Sequence, residues 1–294
     1  MTVITRSVTA SFSESLSSSA RTEEGKLAKK EVLLDATLPT WEIFPVEETL
    51  RFAMTMPNTL EEYIDNLTYS DDDKCISDFP DREHFRVKVA KLPFAKGEMR
   101  AAYFGQLITG LNTMSGIILK ESLAISATQL TKPKYEAFLH CHRAAKAFAI
   151  EFNRIKPADC PRIEFVDACI IQFMARKDQP FMIQESQILD KFEKYNNNSG
   201  YCAPNPTLHG TRHDAIQAFS HWTYQASNER IMVVDCQGGY NQLNRCFMLT
   251  DPAIHFVDVT HFGGTNMGRP GMVKFFETHQ CNEYCQALRL VKPT

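Results

Sequence analysis

PGMVKFFETHQCNEYC, Pro270 to Cys285, is the stretch that decides how the C-terminal half of this chain is built. Pro270 to Thr278 reads as a helix with proline near its start, where the missing N–H is harmless. His279, Cys281 and Cys285 then follow within seven residues. One imidazole and two thiolates suit a tetrahedral zinc, and a closed structural site needs a fourth protein ligand. His221, in FSHWTY, is the candidate. The bland alternative is a core histidine with two buried cysteines at a helix end. His140-Cys141-His142 differs: on a helix, positions 140 and 142 point to nearly opposite sides, so this cluster reads as structural.

Upstream, RIMVVDC (Arg230–Cys236) reads as a buried strand that ends in Asp235 beside Gly238 and Gly239. A carboxylate at such an edge is well placed for metal or proton chemistry, although a turn-forming aspartate looks the same. Thr250-Asp251-Pro252 supplies a second carboxylate in a constrained loop. Two such acids on one side of a sheet suit Mg²⁺ on a phosphate. Lys120 stands in the apolar strand SGIILKES (Ser115–Ser122), where pairing with phosphates competes with snorkelling to solvent. PFAKGEMR (Pro93–Arg100) puts Gly97 in a turn between strands. GGTNMG (Gly263–Gly268) is glycine-rich and precedes a helix, a weak signal for backbone or phosphate binding. The chain has no GxxxxGK[ST], HRD or DFG pattern.

AAYFGQLI (Ala101–Ile108) and SGIILKES read as strands joined by a Gly/Asn turn. Lys134 to Asn153 reads as one helix, RIEFVDACIIQFMA (Arg162–Ala175) as one strand, and PFMIQES (Pro180–Ser186) as its partner. Asn196 to Gly200 reads as a turn or exposed loop, and Asp214 to Gln225 as a helix. Strands first, then helices and strands mixed, is an α+β pattern. Residues 1–35 are expected to be a disordered Ser-rich tail. Residues 36–81 are expected to be an N-terminal extension or linker, with a helix at LEEYIDNL (Leu60–Leu67) and a solvated acidic run at Asp71–Asp73; the main domain is expected to span 82–294.

Lys and Arg number 32 against 35 Asp and Glu, a net charge of −3 that gives no bulk signal for nucleic acid. No run of eighteen apolar residues marks a membrane span. Nine cysteines without a secretory signal argue for core packing or metal binding rather than disulfides, and a cytoplasmic protein is expected.

Taken together, KYNNNSG, AFSHWTY, VVDCQG, TDPAIH, GGTNMGRPGM and FFETHQCNEYC resemble, in order, the alpha-kinase family. These atypical protein kinases include myosin heavy chain kinases, elongation factor kinase and domains fused to some ion channels. The resemblance runs from about Phe94 to Leu290. It implies a two-lobed atypical kinase fold with a structural zinc site in the C-lobe. The implied activity is transfer of the γ-phosphate of Mg-ATP to Ser/Thr hydroxyls of a protein. Lys120 looks like the family's ATP lysine, and Arg100 like an arginine of the loop covering the phosphates. Glu185 and Lys194 sit where the family contacts nucleotide around the interlobe linker. The resemblance makes Asp235 the catalytic carboxylate and Gln237 and Asp251 the Mg²⁺ ligands. Gly263, Gly264, Asn266 and Gly268 look like the glycine-rich loop linked to peptide substrate, and His221, His279, Cys281 and Cys285 match the zinc ligands. Three departures stand out: Thr265 in place of a glycine, a longer Asp235–Asp251 stretch with NQLNRC inserted, and Phe138 where a family acid is expected, with Glu136 nearby. These departures motivate a competing reading, a pseudokinase or zinc-stabilised binding module without turnover. A metal-dependent hydrolase is a third.

Overall fold

The computed structural model describes residues 32–33, 37–53, 55–69, 82–97, 99–109, 113–123, 132–205 and 212–293. The first lobe is built on β1 (Val32–Leu33), β2 (Glu47–Phe52), helix α1 (Leu60–Tyr69), β3 (Arg82–Val89), β4 (Ala95–Lys96), β5 (Arg100–Thr109) and β6 (Thr113–Ser122). The long helix α2 (Lys132–Ile155) follows, then β7 (Arg162–Phe165), β8 (Ala168–Phe173) and β9 (Phe181–Ser186). β5 carries β4 and β3 along one edge and β6 along the other. β3 pairs with β2, β2 with β8, β8 with β9, and β9 with β6, all antiparallel. The six strands β5, β3, β2, β8, β9 and β6 therefore close on themselves, leaving none of them as a sheet edge. Side chains alternate across a strand, so Val87, Val89, Ile117, Leu119, Ile171 and Phe173 form one buried cluster inside. Lys120, out of phase with Leu119, faces away from that interior.

The second lobe adds β10 (Glu193–Lys194), α3 (Arg212–Ala226), β11 (Ile231–Val234), β12 (Gln237–Asn241), β13 (Cys246–Thr250), β14 (Ala253–Phe256), α4 (Gly268–Thr278) and α5 (Glu283–Ala287). Its sheet runs β10-β12-β13-β7, with β11–β14 as a separate pair. Phe148 and Phe152 of α2 meet Phe219 and Trp222 of α3 edge-on or tilted, above Ile231, Val233, Phe247 and Leu249. Aromatic pairs in that geometry add to the burial of their large apolar area. No helix among the described residues is long and apolar enough to cross a membrane.

Three expectations change. The 36–81 stretch is not merely a linker: β2 lies between β3 and β8, and Tyr63 and Ile64 of α1 are buried in the second lobe's core. A boundary at residue 82 therefore cuts through the fold. The tail lies outside the described residues except for Val32–Leu33, which pair with β4, and so does the acidic run Asp71–Asp73. The strand expected over 162–175 breaks at Val166–Asp167. β7 runs parallel to β13 in one lobe, and β8 is antiparallel to β2 and β9 in the other. An apolar run marks burial but not which sheet accepts each half. Finally, Asn196 and Asn197 are buried rather than exposed.

Candidate active site and metal centre

The His/Cys motif closes in space. α3 carries His221 on a buried turn, and the segment after α4 brings His279, Cys281 and Cys285 beside it. Asn282 caps α5, its side chain accepting from the Tyr284 and Cys285 amides at 3.0 and 3.1 Å, which fixes the Cys285 turn. The four candidate donor atoms lie within 4.8 Å of one another. His221 Nδ1 and His279 Nε2 are 3.2 Å apart, Cys281 Sγ is 3.8 Å from His221 Nδ1, and Cys285 Sγ is 3.6 Å from His279 Nε2. Zinc bonds of about 2.0–2.3 Å give tetrahedral edges of roughly 3.3–3.8 Å, so the cluster fits the ion. His221 Nε2 lies 3.1 Å from the Val291 carbonyl, an acceptor, so this nitrogen holds the proton and Nδ1 presents its lone pair. Burial, with Cys281 adding to it, pushes the Cys285 thiol up to about 12; burial, with His221 and Lys292 adding to it, pushes the His279 imidazole down to about 3. A divalent cation supplies the charge that ionises such a thiol.

A second polar cluster fills the cleft between the lobes. Lys120 on β6 is 6% exposed. Its Nζ lies 2.6 Å from Glu185 Oε2 on β9, 2.6 Å from Asp251 Oδ2, and 2.9 Å from Thr250 Oγ1. Thr250 Oγ1 in turn donates to Glu185 Oε2 at 2.5 Å. Snorkelling is therefore not what Lys120 does. Burial works against its charge, but Asp251 and Glu185 outweigh burial and raise its pKa. Arg100, at the start of β5, places Nη1 3.2 Å from Asp251 Oδ1. Burial opposes ionisation of Asp251, yet Arg100 and Lys120 hold its carboxyl well below the usual range. Its backbone is left-handed, with φ of 50°, a conformation costly for a side chain with Cβ and concentrated at functional sites.

Asp235 is also left-handed, with φ of 60°, and its Oδ1 meets Lys194 Nζ at 2.7 Å. Burial raises its pKa and Lys194 only partly offsets that. Strand register sets the rest. Gln237 stands opposite Lys194 on one side and Thr250 on the other, so Asp235, Gln237, Lys194 and Asp251 converge at one end of the sheet. The insertion expected to reshape this region falls at the opposite end of the β12–β13 hairpin. Asn241 pairs with Cys246, and the residues between them form its turn. Gly238 lets the hairpin close, since a Cβ there would lie 2.1 Å from the Met248 carbonyl oxygen at φ of 148°.

The glycine-rich loop is a short 3-10 turn, Gly263–Thr265, leading into α4. Gly263 and Gly264 are exposed, and a Cβ on Gly264 would meet nothing within 4 Å. Asn266 behaves differently. Its Oδ1 accepts from the Phe256 and Gly268 amides at 2.9 and 2.8 Å, and its Nδ2 donates to the Asp258 and His261 carbonyls at 3.0 and 3.1 Å. It shapes the loop from inside rather than presenting a side chain outward.

Two residues named in the sequence make contacts that the sequence did not suggest. Thr250 bonds both Lys120 and Glu185; its position beside Asp251 was the available signal. Phe138 on α2 lies under the Arg100 guanidinium, whose carbon is 4.0 Å from the ring centroid. The residue found in place of an acid thus supports the arginine through cation–π contact. His140-Cys141-His142 is structural where it can be followed: Cys141 and His142 are buried in α2, and His142 Nε2 lies against the Val166 carbonyl.

The family model for alpha-kinases matches residues 95–285. Alpha-protein kinase vwkA of Dictyostelium discoideum is 34% identical over 71% of this chain and 32% of its own length. Eukaryotic elongation factor 2 kinase of Rattus norvegicus is 32% identical over 71% of this chain and 27% of its own. This chain thus spans about a third or less of the length of these relatives. Among solved structures, the alpha-kinase domain of myosin-II heavy chain kinase A in complex with AMP-PNP superposes with a TM-score of 0.64. It is 23% identical, covering 85% of this chain and 97% of that one. A family match over more than half its length, relatives above 30% identity and the shared two-lobed fold lead to one conclusion: this chain belongs to the alpha-kinase family.

Proposed function

We propose that this domain transfers the γ-phosphoryl group of Mg-ATP to Ser or Thr hydroxyls of a protein substrate. One observation carries the reading: a buried lysine of the first lobe is paired with acids from both lobes where the lobes meet. Phosphoryl transfer asks for positioning and charge neutralisation more than covalent chemistry. Lys120 and Arg100 are two fixed cations for the phosphates. Glu185 holds Lys120 in place, and Thr250 holds both. Mg²⁺ fits the donor set at Asp251, a carboxylate kept ionised by its cationic neighbours, with the Gln237 amide on the adjoining strand. When bound, it would neutralise phosphate charge. Asp235, with its raised pKa, orients the acceptor hydroxyl and takes its proton. Lys194 restrains that pKa. Gly263 and Gly264 offer bare backbone to the acceptor chain. The His/Cys cluster would hold a structural zinc, since four protein donors would leave no open position for a reacting water.

Phe138 in place of an acid favours a second reading, a nucleotide-binding pseudokinase. The deciding experiment is transfer of labelled γ-phosphate from Mg-ATP to a generic basic protein, with Asp251→Ala in parallel and phosphoamino-acid analysis of the product. Labelled Ser or Thr from the natural sequence alone supports the kinase. A folded, zinc-loaded protein that binds ATP and labels nothing supports the pseudokinase.

A further inference from the structure

The Asn196–Gly200 turn touches both sides of the reaction centre. Asn196 is fully buried, and its Oδ1 accepts from the amide of Cys236, the residue after Asp235, at 2.9 Å. Its Nδ2 donates to Ser220 Oγ at 2.9 Å and Gln217 Oε1 at 3.2 Å, so the amide is locked to α3. Two residues on, Asn198 Nδ2 donates to the Thr265 carbonyl of the glycine-rich loop at 3.3 Å. The Asn198 carbonyl lies 3.1 Å from His255 Nε2. A carbonyl only accepts, so that nitrogen holds the proton, and Nδ1 is left to accept from the Met267 amide at 3.1 Å. His255 is fully buried, and a Cβ on Gly271 would lie 2.5 Å from its ring. The turn closes at Gly200, left-handed at φ of 95°, where a Cβ would lie 2.6 Å from the Lys274 carbonyl of α4. Hydrogen bonds joined by the covalent backbone of residues 196–198 therefore link the peptide after Asp235 to Thr265 and Met267 on either side of the loop's exit.

We infer that the Asn196–Gly200 turn sets the distance between Asp235 and the glycine-rich loop, with Asn198 and His255 as positioning residues for the acceptor protein. This rests on the proposed reading in which that loop meets the substrate. Neither residue touches the Lys120–Glu185–Asp251 cluster among the contacts described, so nucleotide affinity does not depend on them. Asn198→Asp is nearly isosteric. It keeps the Oδ1 acceptor that Ser199 Oγ uses and replaces the donor to Thr265 with an acceptor.

The test measures KM for myelin basic protein as acceptor, and separately the Kd for an ATP analogue, in the full chain. Asn198→Asp is expected to raise acceptor KM about tenfold, the scale of one lost hydrogen bond with a repelled carbonyl, at unchanged nucleotide Kd. Faster amide exchange at Met267 and Gly268 should accompany it. Gly264→Val is the control for the underlying reading, since its side chain enters open space in the folded domain. If Gly264→Val leaves acceptor KM unchanged, the loop does not meet the acceptor and both readings fall. If Gly264→Val raises acceptor KM while Asn198→Asp does not, or if Asn198→Asp weakens nucleotide equally, the positioning role alone falls. Should Asn198→Asp fail to fold, Asn198→Ala carries the same expectation.

Discussion

The two buried polar clusters of this domain are assembled in opposite ways. The His/Cys cluster draws three of its four donors from the seven residues His279–Cys285 and borrows only His221 from α3. The cleft cluster draws Lys120 from β6, Glu185 from β9 and the adjacent Thr250 and Asp251 from the end of β13, with Lys120 and Asp251 separated by 131 residues. The first is closed: its donors face one another at the spacing a tetrahedral ion requires. The second spans the lobes; each cluster leaves a buried atom without a hydrogen-bond partner, His279 Nδ1 in the first and Glu185 Oε1 in the second. A locally assembled cluster holds one lobe together. A cluster assembled between lobes exists only while they are docked, and it can rearrange when a polyphosphate enters.

The sharpest way to break this contrast is to remove one donor from each side. Cys285→Ala should release the metal and unfold the second lobe, because structural zinc supplies folding free energy on the order of 10 kcal/mol. Metal content by atomic absorption and a thermal melt check it; an unchanged melt in a zinc-free protein would make the cluster a mere core. Lys120→Met should do the reverse, keeping zinc and a cooperative melt while phosphate transfer falls about a thousandfold or more. Some stability should go too, about 3 kcal/mol, because Glu185 and Asp251 are left facing each other without their cation. Full activity in Lys120→Met would sink the assigned role.

The third prediction concerns protons. Burial raises the Asp235 carboxyl above the ordinary aspartate range. If transfer needs the carboxylate, kcat/KM falls as pH drops through that raised value, so the acid limb lies higher than for an ordinary aspartate. Lys194→Met removes the opposing cation and should move the limb up again. A limb that stays put would take Asp235 out of the proton-accepting role. Stability runs in two directions here. The contribution of Asp235 is lost as pH rises from the ordinary aspartate value through its raised one. That of Asp251 is complete at neutral pH and is lost as pH falls through its depressed value. The smallest expected effect lies at the far end of the hairpin. Leu243, 98% exposed, should tolerate Leu243→Ser within about 0.5 kcal/mol and with unchanged kcat. A large loss of activity would show that the hairpin turn reaches the site after all.

The metal motif, the helices and the paired strands around Lys120 were legible because each is announced locally, by ligand spacing or by the period of apolar residues. The break at Val166–Asp167 was not, because both halves of 162–175 are apolar. What separates them is partner choice, with Val166 donating to the Leu249 carbonyl and Ser186 to that of Asp167. The polarity of KYNNNSG suggested exposure, yet Asn196 and Asn197 are buried because their side chains satisfy backbone amides, that of Cys236 for Asn196 and those of Ser199 and Tyr201 in its own turn for Asn197. Asn266 likewise looked available for substrate until its four hydrogen bonds were seen to lie within the loop and its flanking segments.

Sequence alone determined the α+β class and the His279–Cys285 motif, since those rest on chemistry carried by neighbouring residues, and the likeness of six ordered motifs pointed to the alpha-kinase family. Tertiary structure alone decided that β2 and α1 belong to the same body. It also decided that Lys120 is neutralised by two acids rather than snorkelled, and that an asparagine turn joins Asp235 to the glycine-rich loop. Strand pairing and apolar packing settle the first; the other two share a different physical reason. A buried charge or amide takes its character from whichever group lies within about 3 Å, and here that group comes from a distant part of the chain.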